Sequence, residues 1–352
     1  MENILSIPFL KHLSNDIAVD LGTSNSSISS DSTSIKFSES SFAAYDQRKK
    51  QVIAVGDRAK KMLGRTPPYI KIIRPIKNGI IGNKETACYL IAYLMKNLKL
   101  SNLIKPRVLA GVPDDSSEIE RFSVLEAFRL SGARIVYLIE QIIAVAIGSD
   151  IPVMEANGNI IVDLGTTSCR VAIISLGGIV KMQTTPFAGE YMDKAVSEML
   201  MRKYNLLVGE LTCEKIKLQL GSAVKLDQKA SMHVGGRNIK TGLPDSATVW
   251  TNDVFEALSE PVNKIVKTIE SCIESAPHGF INDIVDKGIT ISGGIASMRG
   301  LDRLITKKLG IKCKIAPEPS FSLVRGMERI LADKHLMKFF FNSSQDRLSS
   351  LK

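Results

Sequence analysis

Two short segments of this 352-residue chain carry the same residue types in the same order: IAVDLGTSNSSIS from Ile17 and IIVDLGTTSCRVA from Ile160. Six of their first seven positions are identical. In each, an acidic residue ends a β-branched run and a glycine follows among small hydroxyl residues. That pattern suits a polyphosphate. Gly22 and Gly165 let the backbone come close enough for its N–H groups to face phosphate oxygens. Thr23, Ser24, Thr166, Thr167 and Ser168 add hydroxyl donors without bulk. Asp20 and Asp163, at the strand ends, are expected to face one another across a cleft and to suit the water shell of a hydrated Mg²⁺. One D-L-G-T alone is an ordinary hairpin. Two near-identical copies point to an internal duplication and a phosphate clasp.

A third glycine turn lies in GITISGGIASMRGLDRLI, from Gly288. Gly293 and Gly294 stand between an apolar strand and an amphipathic helix marked by Leu301, Leu304 and Ile305, so their backbone is placed to lie against a ligand. On its own such a connection is an ordinary loop. Before it, TCEKIKLQLG (Thr212–Gly221) reads as helix, with Glu214 and Lys217 three apart on one face. That spacing fits a surface ion pair as well as a ligand contact. Neither G-x-x-x-x-G-K-[ST] nor G-x-G-x-x-G occurs, which removes the P-loop and Rossmann routes.

The elements that must hold these turns are short and repeated. Each D-L-G-T segment reads as strand–turn–strand, and the second resumes as VAIISL (Val171–Leu176) with another turn at Gly177–Gly178. The length suffices for two ordinary domains, and 44% hydrophobic with 23% charged residues is a globular composition. No apolar run reaches the ~18–20 residues of a membrane-spanning helix. The N-terminal apolar patch (Ile4, Leu5, Phe9, Leu10) is interrupted by Pro8 and followed by no small-residue cleavage site, so a secretory leader is not expected. Five scattered cysteines and four dispersed histidines show no metal-ligand spacing, disulfide framework or triad. A reducing cytoplasm is the expected home. Net charge is +10, concentrated between Arg48 and Lys77, where ten Lys or Arg accompany one acid, Asp57. Such a face suits solubility, an anionic membrane surface or nucleic acid. With Tyr69 the sole aromatic there, a base-stacking platform is not expected.

In order, IAVDLGTSNS, the basic VGDRAKKMLGRTPPYIKIIRPIKNGII, PRVLAGVP, LIEQIIAVAIGS, IIVDLGTTSCRVAIISLGGIV, PFAGEYMD, TCEKIKLQLG, TGLPDSATV and ISGGIASMRGLD resemble MreB, the bacterial actin homologue, from about Asp16 to Leu331. Actins, heat-shock chaperone ATPases and sugar kinases at large share only the two hairpins and the Gly-Gly turn. The resemblance implies an α/β, actin-like fold of two duplicated domains, each a mixed five-stranded sheet with flanking helices, with ATP and Mg²⁺ in the cleft between them. The domains fall at 1–150 plus 325–352, with a basic small subdomain near 34–78, and at 151–324, with a small subdomain near 190–250. By motif, Asp20, Gly22, Thr23, Ser24 and Asn25 form the first phosphate loop, and Asp163, Gly165, Thr166, Thr167 and Ser168 the second. Gly189 and Glu190 fall near the phosphates. Glu214 and Lys217 hold the ribose and adenine edge, and Gly293, Gly294, Ile295, Ala296 and Ser297 lie on the nucleoside's other side. Leu103–Ile104 matches the apolar pair that inserts into membrane. Two such residues contribute a few kcal/mol at most, so stable attachment takes many subunits in a row.

The departures from the family pattern concern catalysis. Where the family usually has a Glu before a Pro, positioning or deprotonating the attacking water, this chain has Gln141 and Ile142. A glutamine positions water but takes no proton. The second loop, usually Gly-Gly-Gly-Thr-Thr-Glu, reads Gly165-Thr166-Thr167-Ser168-Cys169-Arg170; the two threonines are expected to narrow its conformations, lacking glycine's freedom at positive φ. Glu190 replaces the usual Asp, Ile295 a third Gly, and Met327 and Glu328 small residues. Drift without effect and slow turnover both fit, with Ser168 still able to help place water. The resemblance implies a filament-forming, ATP-binding cytoskeletal protein and weak ATPase at the cytoplasmic face of the cell membrane, acting in cell shape or mechanics. Its expected partners are copies of itself, an anionic membrane surface and cytoskeletal paralogues, with no specific nucleic acid. A non-polymerising superfamily ATPase or small-molecule kinase is the alternative. A kinase needs substrate-binding insertions and a chaperone a further domain, and neither is evident. The Phe339–Phe341 cluster is expected to pack as a last helix on the first domain, a membrane or subunit contact being the other reading.

Overall fold

The computed structural model describes residues 16–30, 35–98, 104–228 and 230–341. Leu103 and the N-terminal apolar patch lie outside them. The chain divides into two compact units, Met1–Ile151 with Phe321–Lys352, and Pro152–Ser320.

In unit 1, β-branched and small apolar residues form β1 (Asp16–Leu21), and a serine-rich strand β2 (Asn25–Ser30) folds back on it. Strand β3 (Ile35–Ser40) continues the antiparallel meander. Five short strands follow: β4 (Ala43–Asp46), β5 (Gln51–Val55), β6 (Ile70–Ile73), β7 (Ile76–Lys77) and β8 (Ile80–Ile81). The first three of these make a separate antiparallel sheet bearing most of the basic segment. There Arg48 stacks over Tyr69, its guanidinium carbon 3.3 Å from the ring centroid. Strands β9 (Arg107–Val112) and β10 (Ile135–Glu140) then add parallel to β1, giving a mixed five-stranded sheet of order β10-β9-β1-β2-β3. Helix α1 (Lys84–Asn97), capped by the Asn83 side chain on Thr86 N–H, and helix α2 (Glu118–Leu130), with a Ser117/Glu120 capping box, bury their apolar faces on this sheet. Helix α3 (Gln141–Gly148) is buried along its whole length.

Unit 2 repeats the plan. Strands β11 (Asn159–Leu164), β12 (Cys169–Ser175) and β13 (Gly178–Thr185) form the meander, turning at Leu176–Gly177, both at positive φ. Helices α4 (Gly189–Tyr204) and α5 (Glu210–Leu220) follow, with a small antiparallel sheet of β14 (Leu206–Leu207), β15 (Ser231–Asn238) and β16 (Pro244–Trp250). Helix α6 (Thr251–Glu274) lays a long apolar stripe on the main sheet, which β17 (Ile289–Ser292), parallel to β11, and β18 (Cys313–Ile315), parallel to β17, complete. The order β13-β12-β11-β17-β18 matches unit 1 strand for strand, as a duplication requires. Where the Gly-Gly turn was expected to lead straight into helix, a 3₁₀ turn (Gly294–Ser297) intervenes before α7 (Leu301–Leu309).

The chain returns to unit 1 through α8 (Ser322–Ala332) and α9 (Lys334–Phe341). Helices α3 and α8 cross with their backbones in contact: a Cβ at Gly148 would stand 1.8 Å from Ser322 O, and one at Gly326 1.7 Å from Ala144 O. Arg325 Nε (2.6 Å to Gly148 O) and Arg329 Nη1 (2.6 Å to Ile147 O) donate to the last carbonyls of α3. This fixes the helix whose other end carries Gln141. Met327, unexpectedly large for its position, is fully buried, and Glu328 accepts a hydrogen bond from Ser29 Oγ. Phe341 is buried and packs on Tyr137 at 5.0 Å, so the last helix docks on unit 1 as expected, while Phe339 is half exposed.

Candidate functional site

In unit 1 the turn between β1 and β2 is held by Ser41, through both its backbone and its hydroxyl, and by the Thr23 hydroxyl. A Cβ at Gly22 would lie 2.3 Å from Asn25 O, so glycine is required here by close approach rather than by positive φ. Ser41 Oγ donates to Gly22 O (2.6 Å) and Ser41 N to Ser24 O (2.8 Å). Thr23 is buried and its Oγ1 accepts from Asn78 N (2.9 Å), leaving its own O–H proton for another acceptor. Ser24 is half-buried, Asn25 exposed and Asp20 half-buried, with Ser27 its cross-strand partner.

Gln141 is the first residue of α3 and is 5% exposed. Two glycines make its slot. A Cβ at Gly79, where φ is +77°, would stand 3.1 Å from Gln141 Nε2, and one at Gly111 3.2 Å from its Cγ. Asp114 Oδ1 accepts from Ile142 N (3.4 Å) at the start of the same helix. Sequence reasoning missed Ser41, Asn78, Gly79 and Asp114. Asn78 and Gly79 lie within the quoted basic segment ending KNGII, and Asp114 directly follows the PRVLAGVP strand that ends beside Gln141.

In unit 2 the corresponding turn is held through its own carbonyls. Gly165 N donates to Ser168 O (3.0 Å), Gly189 N to Gly165 O (3.2 Å) and Glu190 N to Thr166 O (2.7 Å), so the first turn of α4 grips the loop. Gly165 is less constrained than Gly22, a Cβ there standing 3.2 Å from Ser168 O. Thr166, Thr167 and Ser168 are half-buried and all at negative φ. The backbone here uses no positive φ, the region in which threonine lacks glycine's freedom. Cys169 beside it is fully buried, and burial pushes its thiol far above the usual range.

Asp163 pairs across the strands with Arg170, whose Nη1 lies 3.9 Å from Asp163 Oδ2. Burial raises the carboxyl above its ordinary value and the guanidinium pulls it back down. Lys217 is not the surface residue that its spacing from Glu214 allowed. It is 7% exposed, and its Nζ donates to Gly189 O (3.1 Å) and lies 2.8 Å from Asp193 Oδ1. Burial raises Asp193, with Lys217 opposing. Glu214 is half-buried. Asp193 was missed by sequence reasoning, although it lies one helical turn beyond Gly189 in the quoted PFAGEYMD.

Gly293 has φ +88°, and a Cβ there would lie 2.4 Å from Leu164 O, so the Gly-Gly turn packs against the end of β11. Gly293 N donates to Pro319 O (3.0 Å). Gly294 and Ser297 are exposed, while Ile295 and Ala296 are buried. Unit 2 thus gathers Asp163, Gly165–Ser168, Gly189, Glu190, Lys217 and Gly293 around the ends of β11 and α4. Unit 1 gathers Asp20, the Gly22–Asn25 turn and Gln141 at the ends of β1, β9 and β10. Ile104, of the expected membrane pair, is half-buried. Among the described residues no helix is long and apolar enough to cross a membrane, and no group of three or more His, Cys, Asp or Glu stands where it could hold a metal.

The MreB/Mbl protein family matches residues 14–338. The cell shape-determining protein MreB of Escherichia coli is 38% identical over 319 residues, covering 89% of this chain and 92% of that one. The cell shape-determining protein Mbl of Bacillus subtilis is 35% identical over 305 residues, covering 86% and 92%. The crystal structure of MreB5 of Spiroplasma citri bound to ADP superposes with a TM-score of 0.87 at 28% identity, covering 93% of this chain and 98% of that one. The MamK double helical filament gives 0.77 at 22% identity over 91% and 99%, a likeness of fold. The two mixed five-stranded sheets with their helices are therefore an actin-like fold, and the chain belongs to the MreB/Mbl family.

Proposed function

We propose that this chain binds ATP and assembles into actin-like filaments that act in cell shape or mechanics at the cytoplasmic face of the membrane, with slow hydrolysis as a timer. The observation that carries the reading is the pair of D-L-G-T hairpins in one register, each ending in a turn that its own unit holds in place. MreB5 of Spiroplasma citri has been solved with ADP and with AMPPNP, and MamK as a double helical filament. MreB and Mbl are named for determining cell shape.

In this reading the turns at Gly22–Asn25 and Gly165–Ser168 donate backbone N–H and hydroxyl protons to phosphate oxygens. Lys217, oriented by Asp193, holds the ribose and adenine edge with Glu214, and Gly293–Ser297 lies on the nucleoside's other side. Asp20 and Asp163, carboxylate oxygen donors at the strand ends, would reach a hydrated Mg²⁺ carried by the phosphates through water, and that ion would offset phosphate charge. Gln141 positions the attacking water without accepting its proton, and the Ser168 hydroxyl assists; hence the slow turnover. Leu103–Ile104 and the basic Arg48–Lys77 segment give each subunit a weak hold on an anionic membrane, summed along the filament.

Sedimentation with and without ATP, with phosphate release followed in parallel, tests this. The expected result is ATP-dependent polymer in the pellet and slow release. Absence of polymer in every nucleotide state at moderate salt overturns the filament reading and leaves nucleotide binding standing.

A further inference from the structure

The duplicated hairpins differ most at the residue opposite their carboxylate. Asp20 faces Ser27 across the strands, whereas Asp163 faces Arg170 at the same register position. Cross-strand neighbours project from one face of a sheet, and Arg170 Nη1 lies 3.9 Å from Asp163 Oδ2. Only 10% and 17% of the two side chains are exposed, so the guanidinium is confined beside the Gly165–Ser168 turn rather than swinging in solvent. A guanidinium stays charged throughout the physiological range and suits phosphate oxygens as well as carboxylates. Its charge sits beside the carboxylate that would otherwise receive the water shell of a hydrated divalent cation. There it disfavours a second cation and attracts the anion that the cation would neutralise.

We propose that Arg170 is a built-in counter-charge for the phosphates, so that this chain binds nucleoside di- and triphosphates with little need for a divalent cation. Asp163 then positions Arg170 as well as facing the water shell of any Mg²⁺ that arrives with the phosphates. The inference rests on the nucleotide-binding reading above and concerns how that site balances charge.

Calorimetric titration of the full chain with ATP and with ADP, in Mg²⁺ and in EDTA, provides the test. For the native chain the two dissociation constants are expected to agree within about fivefold. Arg170→Gln should weaken binding in EDTA by about tenfold or more while changing binding in Mg²⁺ much less. Arg170→Lys, which keeps the charge, should restore most of the EDTA affinity. A native chain that loses more than about fivefold in EDTA overturns the inference whether or not the variants fold, and so does Arg170→Gln with an unchanged ratio. Undetectable binding in both buffers overturns the nucleotide reading, and this inference with it.

Discussion

The two D-L-G-T turns share a register but are secured in different ways. In unit 1 Ser41 ties two carbonyls of the turn, its Oγ to Gly22 O and its N–H to Ser24 O, the Thr23 hydroxyl accepts from Asn78 N–H, and Gly22 has no room for a side chain. In unit 2 the ties run through the loop's carbonyls, gripped by the N–H groups of Gly189 and Glu190. A tie through a side-chain hydroxyl is lost when that side chain changes, and a tie between backbone groups is not. The sequences follow that rule. The first copy keeps the family's residues, while the second has exchanged glycines for Thr166 and Thr167 at positions of negative φ. The two copies share one register and differ in the side chains that tie their turns.

The largest expected break of this symmetry is at the glycines. Gly22→Ala forces a Cβ to 2.3 Å from a backbone oxygen and should cost roughly 3 kcal/mol, whereas Gly165→Ala, at 3.2 Å, should cost about 1 kcal/mol. Denaturant midpoints of the two variants give the comparison, and equal losses would remove the asymmetry. The catalytic side should be as uneven. Gln141→Ala is expected to slow phosphate release by about tenfold or more and Ser168→Ala by less than about fivefold, while Gln141→Glu, which restores a proton acceptor, should speed it at least about tenfold. Single-turnover phosphate release decides, and a Gln141→Glu variant no faster than native would leave slow turnover unexplained by this residue. Next come the hydroxyls: Thr23→Val removes the acceptor for Asn78 N–H and should lower stability by about 1 kcal/mol, against less than about 0.5 kcal/mol for Thr166→Val. The smallest effect tests the negative-φ loop. Thr166→Gly and Thr167→Gly should each cost about 0.5–1 kcal/mol through unfolded-state entropy and leave phosphate release unchanged. Faster release from either variant would mean that the threonines do restrain the loop.

Much of this was legible in the sequence because it is local. The strand–turn–strand copies, the helix at Thr212–Gly221 and the turn at Gly293 each follow from a few consecutive residues, and sheet order follows from the duplication. What could not be read depends on register or on contacts far along the chain. Lys217 pairs with Asp193, 24 positions away on a different helix, so its spacing from Glu214 was uninformative. Arg170 acquires meaning only once β11 and β12 are aligned residue by residue. The Gly79–Gly111 slot around Gln141 joins a turn to a separate strand. The φ values at Thr166 and Thr167 are set by the grip of α4, which residue types alone do not reveal.

The proposed function has both turns serving one nucleotide. Titration calorimetry with ATP tests this most directly. A single saturable site per chain, weakened together by Gly22→Ala and by a change in the second turn such as Ser168→Ala, is the predicted result. Two independent sites, or binding untouched by either substitution, would contradict the claim that the duplicated hairpins form one clasp.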